Sequence, residues 1–207
     1  GTTIVGNAAA VGDYVRLTTT AASQVGTVLF PRPNKALPTY HFYCDLFIGG
    51  GASPAADGVC FSYGNIADGT NFTEAGTGSG LELRIRTYTT RMMELNYNGT
   101  TIASWNWASG DDGQIHTTSW VPVEIMMTAD GKCTIYQNRT LRFDRVTIPG
   151  WSPQSTWRTA IGARTGGAND NHLIDNVRIT TSEPWMTSIA RASASPVGGA
   201  TATVNYT

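Results

Sequence analysis

The chain has 207 residues, of which 41% are apolar and only 14% are charged, and its formal net charge at pH 7 is −1. The apolar fraction is enough for one sizeable core, while glycine, threonine, serine and asparagine replace many of the charged residues of an average domain. The lack of a basic surplus argues against a nucleic-acid partner, and no apolar segment is long enough for membrane insertion.

Short segments rich in Val, Ile, Tyr, Phe and Thr recur along the chain and are separated by glycine-containing turns. This spacing predicts an all-β fold, and so many strands favour two packed antiparallel sheets over a single sheet. The predicted strands, in chain order, are Tyr14–Thr18, Val25–Phe30, Tyr40–Ile48, Gly58–Tyr63, Leu81–Tyr88, Met92–Tyr97, Thr101–Trp107, Val121–Thr128, Cys133–Gln137, Thr140–Ile148, Arg158–Arg164 and Leu173–Thr180.

Turns and alternation support the sandwich. Asn-Gly at 98–99 and Asp-Gly at 130–131 separate apolar segments and are typical of hairpins, because these residues tolerate positive φ. In Leu81–Arg86 the apolar residues alternate with charged ones, so we expect one buried face and one solvent-exposed face.

The composition changes at Glu183, after which Ser, Ala, Gly and Thr dominate. We therefore assign residues 1–182 to one sandwich domain and residues 183–207 to a tail or linker toward a neighbouring module. A strand at Ala202–Tyr206 would belong to that module.

The chain has three cysteines. Cys44 and Cys60 stand in successive apolar segments, so a bridge between them is conceivable. Buried free thiols are the simpler interpretation, because connectivity does not follow from sequence alone.

Several motifs resemble the concanavalin A-like lectin and glucanase superfamily, especially legume-type lectins and laminin-G-like domains. Residues 56–61 (ADGVCF) resemble the strand that opens the lectin sugar site, and residues 83–88 (LRIRTY) resemble the next motif strand. Residues 161–177 resemble the closing segment of the lectin domain, and residues 120–136 resemble a strand pair of laminin-G-like domains. The resemblance implies a two-sheet antiparallel jelly roll.

The resemblance also implies a sugar site. In such lectins the aspartate of the Ala-Asp-Gly segment accepts hydrogen bonds from sugar hydroxyls, and a glycine-rich loop faces it. An ionised carboxylate makes charge-assisted bonds, and glycine allows a close approach. The matching residues here are Asp57, Gly58, Gly166, Gly167 and Asn169.

A second candidate ligand surface is aromatic. Trp105 and Trp107 flank Asn106 and so share one face of a predicted strand. Exposed tryptophans stack on sugar rings, whereas buried ones fill a core, and the sequence leaves both open.

The second motif departs from the lectin pattern. Lectin sugar sites of this kind rest on calcium and a transition metal held by acidic residues of this strand, and here Arg84 and Arg86 occupy the matching positions. A guanidinium cannot ligate a hard cation, so we expect no transition metal. Laminin-G-like and lichenase-type domains often hold one structural calcium, and their calcium-binding aspartate matches Asp175, with an N-terminal carbonyl from Gly6 or Asn7.

A glucanase would need two catalytic carboxylates, about 5–5.5 Å apart in a retaining enzyme. The predicted strand Leu81–Tyr88 contains Glu82. Glu94 on the next strand is more simply a cross-strand partner of Arg84 or Arg86. The three histidines lie on separate elements, which does not favour a catalytic triad. We therefore expect no enzymatic activity.

The leading hypothesis is a non-catalytic carbohydrate-binding module of a larger extracellular or cell-surface protein, with a glycan and neighbouring domains as partners. The alternative is a structural or adhesive spacer of a surface or virion fibre protein without a sugar site. A divergent glycoside hydrolase comes third. These hypotheses differ in whether Asp57 and the loop Thr165–Asn171 meet at an open surface.

Overall fold

The computed structural model describes residues 1–51, 55–107, 116, 119–181 and 203–204. These residues form strands and no helix, and so contain no helix that could cross a membrane. The strands are β1 (Thr3–Gly6), β2 (Ala9–Val11), β3 (Tyr14–Thr18), β4 (Val25–Leu29), β5 (Tyr40–Gly49), β6 (Gly58–Gly64), β7 (Leu81–Arg86), β8 (Met92–Tyr97), β9 (Thr100–Asn106), β10 (Val121–Met127), β11 (Lys132–Gln137), β12 (Thr140–Thr147), β13 (Arg158–Arg164), β14 (Asn171–Thr180) and β15 (Thr203–Val204).

The strands form two sheets. Sheet A has the order β1-β4-β13-β6-β7-β8-β9, and sheet B has the order β12-β11-β10-β5-β14-β3-β2. Every pair within these orders is antiparallel, and β15 adds a parallel pair beside β14. The predicted two-sheet antiparallel jelly roll is therefore confirmed. The tail strand that the sequence suggested for a neighbouring module lies against β14 of this sandwich.

The main core lies between the sheets. Alternate residues of β5 point inward, because successive side chains of a strand point to opposite faces. Aromatic pairs join the sheets: Phe42 and Phe61 have ring centroids 5.5 Å apart, and Tyr40 stacks on Tyr63 at 4.4 Å. These contacts fix how sheet A sits on sheet B.

Part of the outer face of sheet A is covered, although the sequence predicted a solvent-exposed face on Leu81–Arg86. The connection from 65 to 80, between β6 and β7, packs Ile66 and Phe72 against Cys60 and Ala160 in a second apolar cluster. Gly162 makes this possible, since a Cβ there would lie 2.4 Å from the carbonyl oxygen of Phe72. The expectation of a solvent-exposed face on β7 is wrong for Glu82, which is fully buried beneath this connection, whereas the Arg86 side chain on the same face is 38% exposed.

The three cysteines are buried and free, which confirms the simpler interpretation of them. Cys44 belongs to the core between the sheets, while Cys60 belongs to the cluster on the other face of sheet A. The two thiols are therefore on opposite sides of a sheet.

Candidate functional site

Asp57 directly precedes β6, at the end of the strand where β7 and β13 flank it. Its N–H donates to the carbonyl of Arg164 at 2.9 Å, and its own carbonyl accepts from the N–H of Thr87 at 3.0 Å. The peptide bond between Ala56 and Asp57 is cis. Gly58 follows with φ of +142°, and a Cβ there would lie 2.0 Å from the carbonyl oxygen of Ile85. Gly58 therefore allows the positive φ and the close approach of β7 next to Asp57.

The carboxylate of Asp57 has two different oxygens. Oδ2 forms an ion pair with Nε of Arg164 at 2.9 Å, and the Asp57 side chain is only 8% exposed. Oδ2 is fully buried, and its contact with Arg164 is an ion pair without hydrogen-bond geometry. Oδ1 has neither a hydrogen bond nor an ion pair within the described parts of the chain, and it is not among the fully buried atoms. A Cβ on Gly166 would lie 3.0 Å from Oδ2 and 3.4 Å from Oδ1, so Asp57 and the glycine loop do come together.

The loop that follows β13 is held by its own hydrogen bonds. The hydroxyl of Thr165 donates to the carbonyl of Ala21 at 2.7 Å and accepts from the N–H of Gln24 at 3.1 Å. The N–H of Gly166 donates to the carbonyl of Ala168 at 3.1 Å, so this amide is already used within the loop. Gly167 is exposed, with no atom within 4 Å of a Cβ position, and is the open point of the loop.

Sequence reasoning missed Asp170, whose side chain is fully buried behind the loop. Its carboxylate accepts from the N–H groups of Gly51 at 2.9 Å and Ala56 at 3.3 Å, and from Nε2 of His116 at 3.1 Å. Burial raises the pKa of Asp170, and these donors oppose the rise. The half-buried Asn169 lies beside it. Asp170 thus joins the β5–β6 connection, His116 and the glycine loop, a link that local sequence pattern does not reveal.

Charged side chains continue from Asp57 across the end of sheet A. Arg164 contacts Asp57 with Nε and Glu74 with Nη2, the latter at 3.1 Å. Arg86 pairs with Glu94 across the strands at 2.8 Å, which confirms the predicted cross-strand pair. Burial raises the pKa of Glu74, and the guanidinium of Arg164 opposes this rise. We call Asp57, Glu74, Arg86, Glu94 and Arg164 the charged cluster.

Glu82, the other carboxylate considered for catalysis, is fully buried. Its Oε1 accepts from the N–H groups of Thr77 at 2.6 Å and Gly78 at 2.8 Å, and its Oε2 pairs with Nη2 of Arg84 at 2.6 Å. Both oxygens are engaged beneath the connection that covers sheet A. The local arrangement makes Glu82 a structural carboxylate.

Trp105 and Trp107 do not form an open platform. Trp107 belongs to the core at 8% exposure, and Trp105 packs edge-on against it with centroids 5.1 Å apart. The guanidinium of Arg142 lies over the Trp105 ring at 4.1 Å. This corrects the expectation for Trp107, whose ring is used in packing the two sheets.

Asp175 lies on β14, in the middle of sheet B and away from its edges. Burial and the neighbouring negative charges of Asp13 and Asp45 raise its pKa. Gly6 ends β1 in sheet A, Asn7 follows it, and the partnership of Asp175 with an N-terminal carbonyl stays a prediction. Calcium at Asp175 itself stays a prediction.

The two antiparallel sheets and their connections define a lectin-type jelly roll, and comparison with solved structures agrees. The VIP36 exoplasmic/lumenal domain in its Ca2+/Man3GlcNAc-bound form superposes with a TM-score of 0.70 at 16% identity, covering 90% of this chain and 86% of that one. The metal-free Emp46p carbohydrate recognition domain gives 0.63 at 11% identity, with 84% of each chain covered. Metal-free lectin I-B4 from Griffonia simplicifolia gives 0.62 at 16% identity, covering 84% of this chain and 89% of that one.

The chain therefore has the concanavalin A-like lectin fold. No protein-family model matches the sequence, and no curated protein matches it significantly.

The residues of β7 that match the metal-binding acidic residues of lectins do not fit a calcium ion in this chain. Arg84 and Arg86 stand there as fixed positive charges, and both are paired with carboxylates. Within the described ranges no group of three or more His, Cys, Asp or Glu side chains is arranged to hold a metal ion. A divalent cation beside two guanidinium groups would meet repulsion and would have to compete for carboxylates already in use.

Proposed function

We propose that the chain is a non-catalytic, lectin-like carbohydrate-binding module whose ligand site centres on Asp57 and the loop 165–169. One observation carries the proposal: Oδ1 of a mostly buried carboxylate is without a partner beside Gly166 and the open Gly167. Oδ1 is not among the fully buried atoms without a hydrogen bond, so it remains open to solvent, and a sugar hydroxyl can donate to this charged acceptor in place of water. The solved lectin domains of the same fold support this choice.

The charges around the site favour an uncharged sugar. The charged cluster contains two guanidinium groups, Arg86 and Arg164, and three carboxylates, so its formal charge is 2 − 3 = −1. An acidic sugar would meet this negative balance at short range. Forms of VIP36 were crystallised with mannose and mannose oligosaccharides, which makes a neutral mannose oligosaccharide the first probe.

The setting that we propose is lumenal or extracellular, as the description of the VIP36 domain suggests by similarity. Residues 183–207 would then connect this module to others in a longer protein. Their many small Ala, Ser, Gly and Thr residues suit a linker.

The test is binding of a mannose trisaccharide by calorimetry, preceded by a glycan array to find the best neutral ligand. Asp57→Ala should abolish measurable binding, because it removes the acceptor for the sugar hydroxyls, while the melting temperature stays within a few degrees of the parent value. Asp144→Ala, an exposed carboxylate on β12, is the matched control and should bind as the parent does.

Two results would speak against the proposal. Full affinity in Asp57→Ala would move the site elsewhere on the molecule. An array without any bound glycan would favour the alternative from the sequence, a structural or adhesive spacer.

A further inference from the structure

We infer that Arg164 is a positioning residue for the sugar site, holding the Asp57 carboxylate in the orientation that leaves Oδ1 free for the ligand. This inference rests on the proposed function. It concerns a residue that neither the motif nor the fold comparison singles out, since Arg164 is the last residue of β13 and directly precedes the glycine loop.

Two nitrogens of the Arg164 guanidinium contact two different carboxylates. Nε contacts Oδ2 of Asp57 at 2.9 Å, and Nη2 contacts Oε1 of Glu74 at 3.1 Å. Because the guanidinium is planar and rigid, fixing one nitrogen on Glu74 restricts where the other can lie. Glu74 comes from the connection that covers sheet A, so the connection and the site share this arginine.

The carboxylate needs such a contact. Gly166 has no side chain to confine Asp57, and the only other strand-end arginine of the charged cluster, Arg86, pairs with Glu94. Without Arg164 the Asp57 side chain could rotate, and a ligand would have to order it at a cost in affinity. With Arg164 in place, the orientation exists before the ligand arrives.

Substitution can separate this role from a general structural one. The main-chain contact between Asp57 and Arg164 involves the carbonyl of Arg164, which any side chain at position 164 would retain. The Arg164 side chain is 44% exposed, so its removal leaves the core intact. A change at this side chain therefore tests its two carboxylate contacts, to Asp57 and Glu74, while the main-chain contact and the core are retained.

The experiment measures the affinity of three variants for the mannose trisaccharide by calorimetry. The melting temperature of each variant is measured in parallel. Arg164→Met should weaken binding at least about tenfold, and Arg164→Lys should recover part of the loss, because an ammonium reaches Asp57 without bridging to Glu74. Glu74→Gln should weaken binding a few-fold. Arg178→Met, which removes an exposed arginine on sheet B, is the control and should leave affinity unchanged.

Affinities for deoxy sugars distinguish a positioning role of Arg164 from a merely structural one. An analogue that lacks the hydroxyl bound by Asp57 should bind the parent and Arg164→Met with equal, weak affinity. Uniform weakening across all analogues, unchanged affinity or tighter binding in Arg164→Met would each overturn the role. If the parent bound no glycan, the proposed function would fail and this role with it, whereas parent binding with unaffected variants would reject Arg164 alone.

Discussion

Among individual residues, buried polar groups divide into those with complete partners and those without. Glu82 is surrounded by donors, whereas His172 is fully buried with one contact, from Nδ1 to the hydroxyl of Thr18 at 2.7 Å. Nε2 of His172 has no partner among the described residues. Burial accordingly lowers the pKa of His172 to about 3 from an ordinary 6.5, because the charged form cannot be solvated there.

This shift predicts an acid-sensitive stability. Between pH 6.5 and pH 3 the unfolded chain binds a proton at His172 that the folded chain does not bind, so stability falls as pH falls through this window. At pH 5 the expected loss from this histidine is about 2 kcal/mol relative to pH 7.5. Urea unfolding at both pH values measures it. His172→Gln should remove this part of the pH dependence, and His41→Gln, a half-exposed histidine paired with Glu124, should retain it. Equal pH dependence in the parent and His172→Gln would contradict the assignment.

The resemblance to lectins predicted that Asp57 and Gly166 are neighbours, because the Ala-Asp-Gly segment and the glycine loop match motifs of that superfamily. It missed Arg164 and Asp170, whose partners come from other connections of the chain. Such pairings depend on how loops meet after the sheets have formed, and no local pattern encodes that meeting.

At the level of strands and connections, every predicted strand is present with ends within about two residues, which is the usual uncertainty of element boundaries. The short strands β1 and β2 were missed, since Ala, Gly and Asn weaken the strand pattern near the N-terminus. The covering of sheet A was also missed. Its signal was the row of small residues, Cys60, Ala160 and Gly162, which leaves room for a chain segment above the sheet.

Gly162→Ala tests that covering. A Cβ would lie 2.4 Å from the backbone carbonyl oxygen of Phe72 and 2.7 Å from its ring, and backbone cannot move aside cheaply. The variant should lose about 1–3 kcal/mol of unfolding free energy, the usual cost of overpacking. Gly167→Ala is the control, because open space surrounds that position, and it should change stability by less than about 0.5 kcal/mol. A fully stable Gly162→Ala would mean that residues 65–80 do not pack on sheet A.

For the whole molecule, a lectin fold is combined with arginines on the motif strand. Arg84 and Arg86 are positively charged side chains of β7. Glu82 of β7 and Glu94 of β8 form ion pairs with them. The charged cluster contains two sets of ion pairs: Arg86 with Glu94 joins β7 to β8, and Arg164 at the end of β13 joins Asp57 to Glu74 of the connection above sheet A. Since these pairs require no ion from solution, we expect the proposed sugar site not to depend on one.

Chelation tests this consequence with two independent readouts. With excess EDTA, or with added calcium or manganese, the affinity for the mannose trisaccharide should stay within about twofold, because Asp57 is held by Arg164. A metal-dependent legume lectin measured in parallel should lose binding and shows that the chelator works. Loss of affinity at unchanged melting temperature would contradict the metal-independent site.

The melting temperature in the same experiment tests the calcium predicted at Asp175. A cation there would relieve the repulsion from Asp13 and Asp45, and binding to the folded state alone stabilises by about 2.7 kcal/mol at a hundred times the dissociation constant. Chelation should then lower the melting temperature of the parent, while Asp175→Asn should melt lower and respond little to EDTA or calcium. Asp144→Asn, on the outer strand β12, should respond as the parent does. If EDTA leaves the parent melting curve unchanged, the structural calcium is rejected, and the raised pKa of Asp175 reflects burial beside like charges alone.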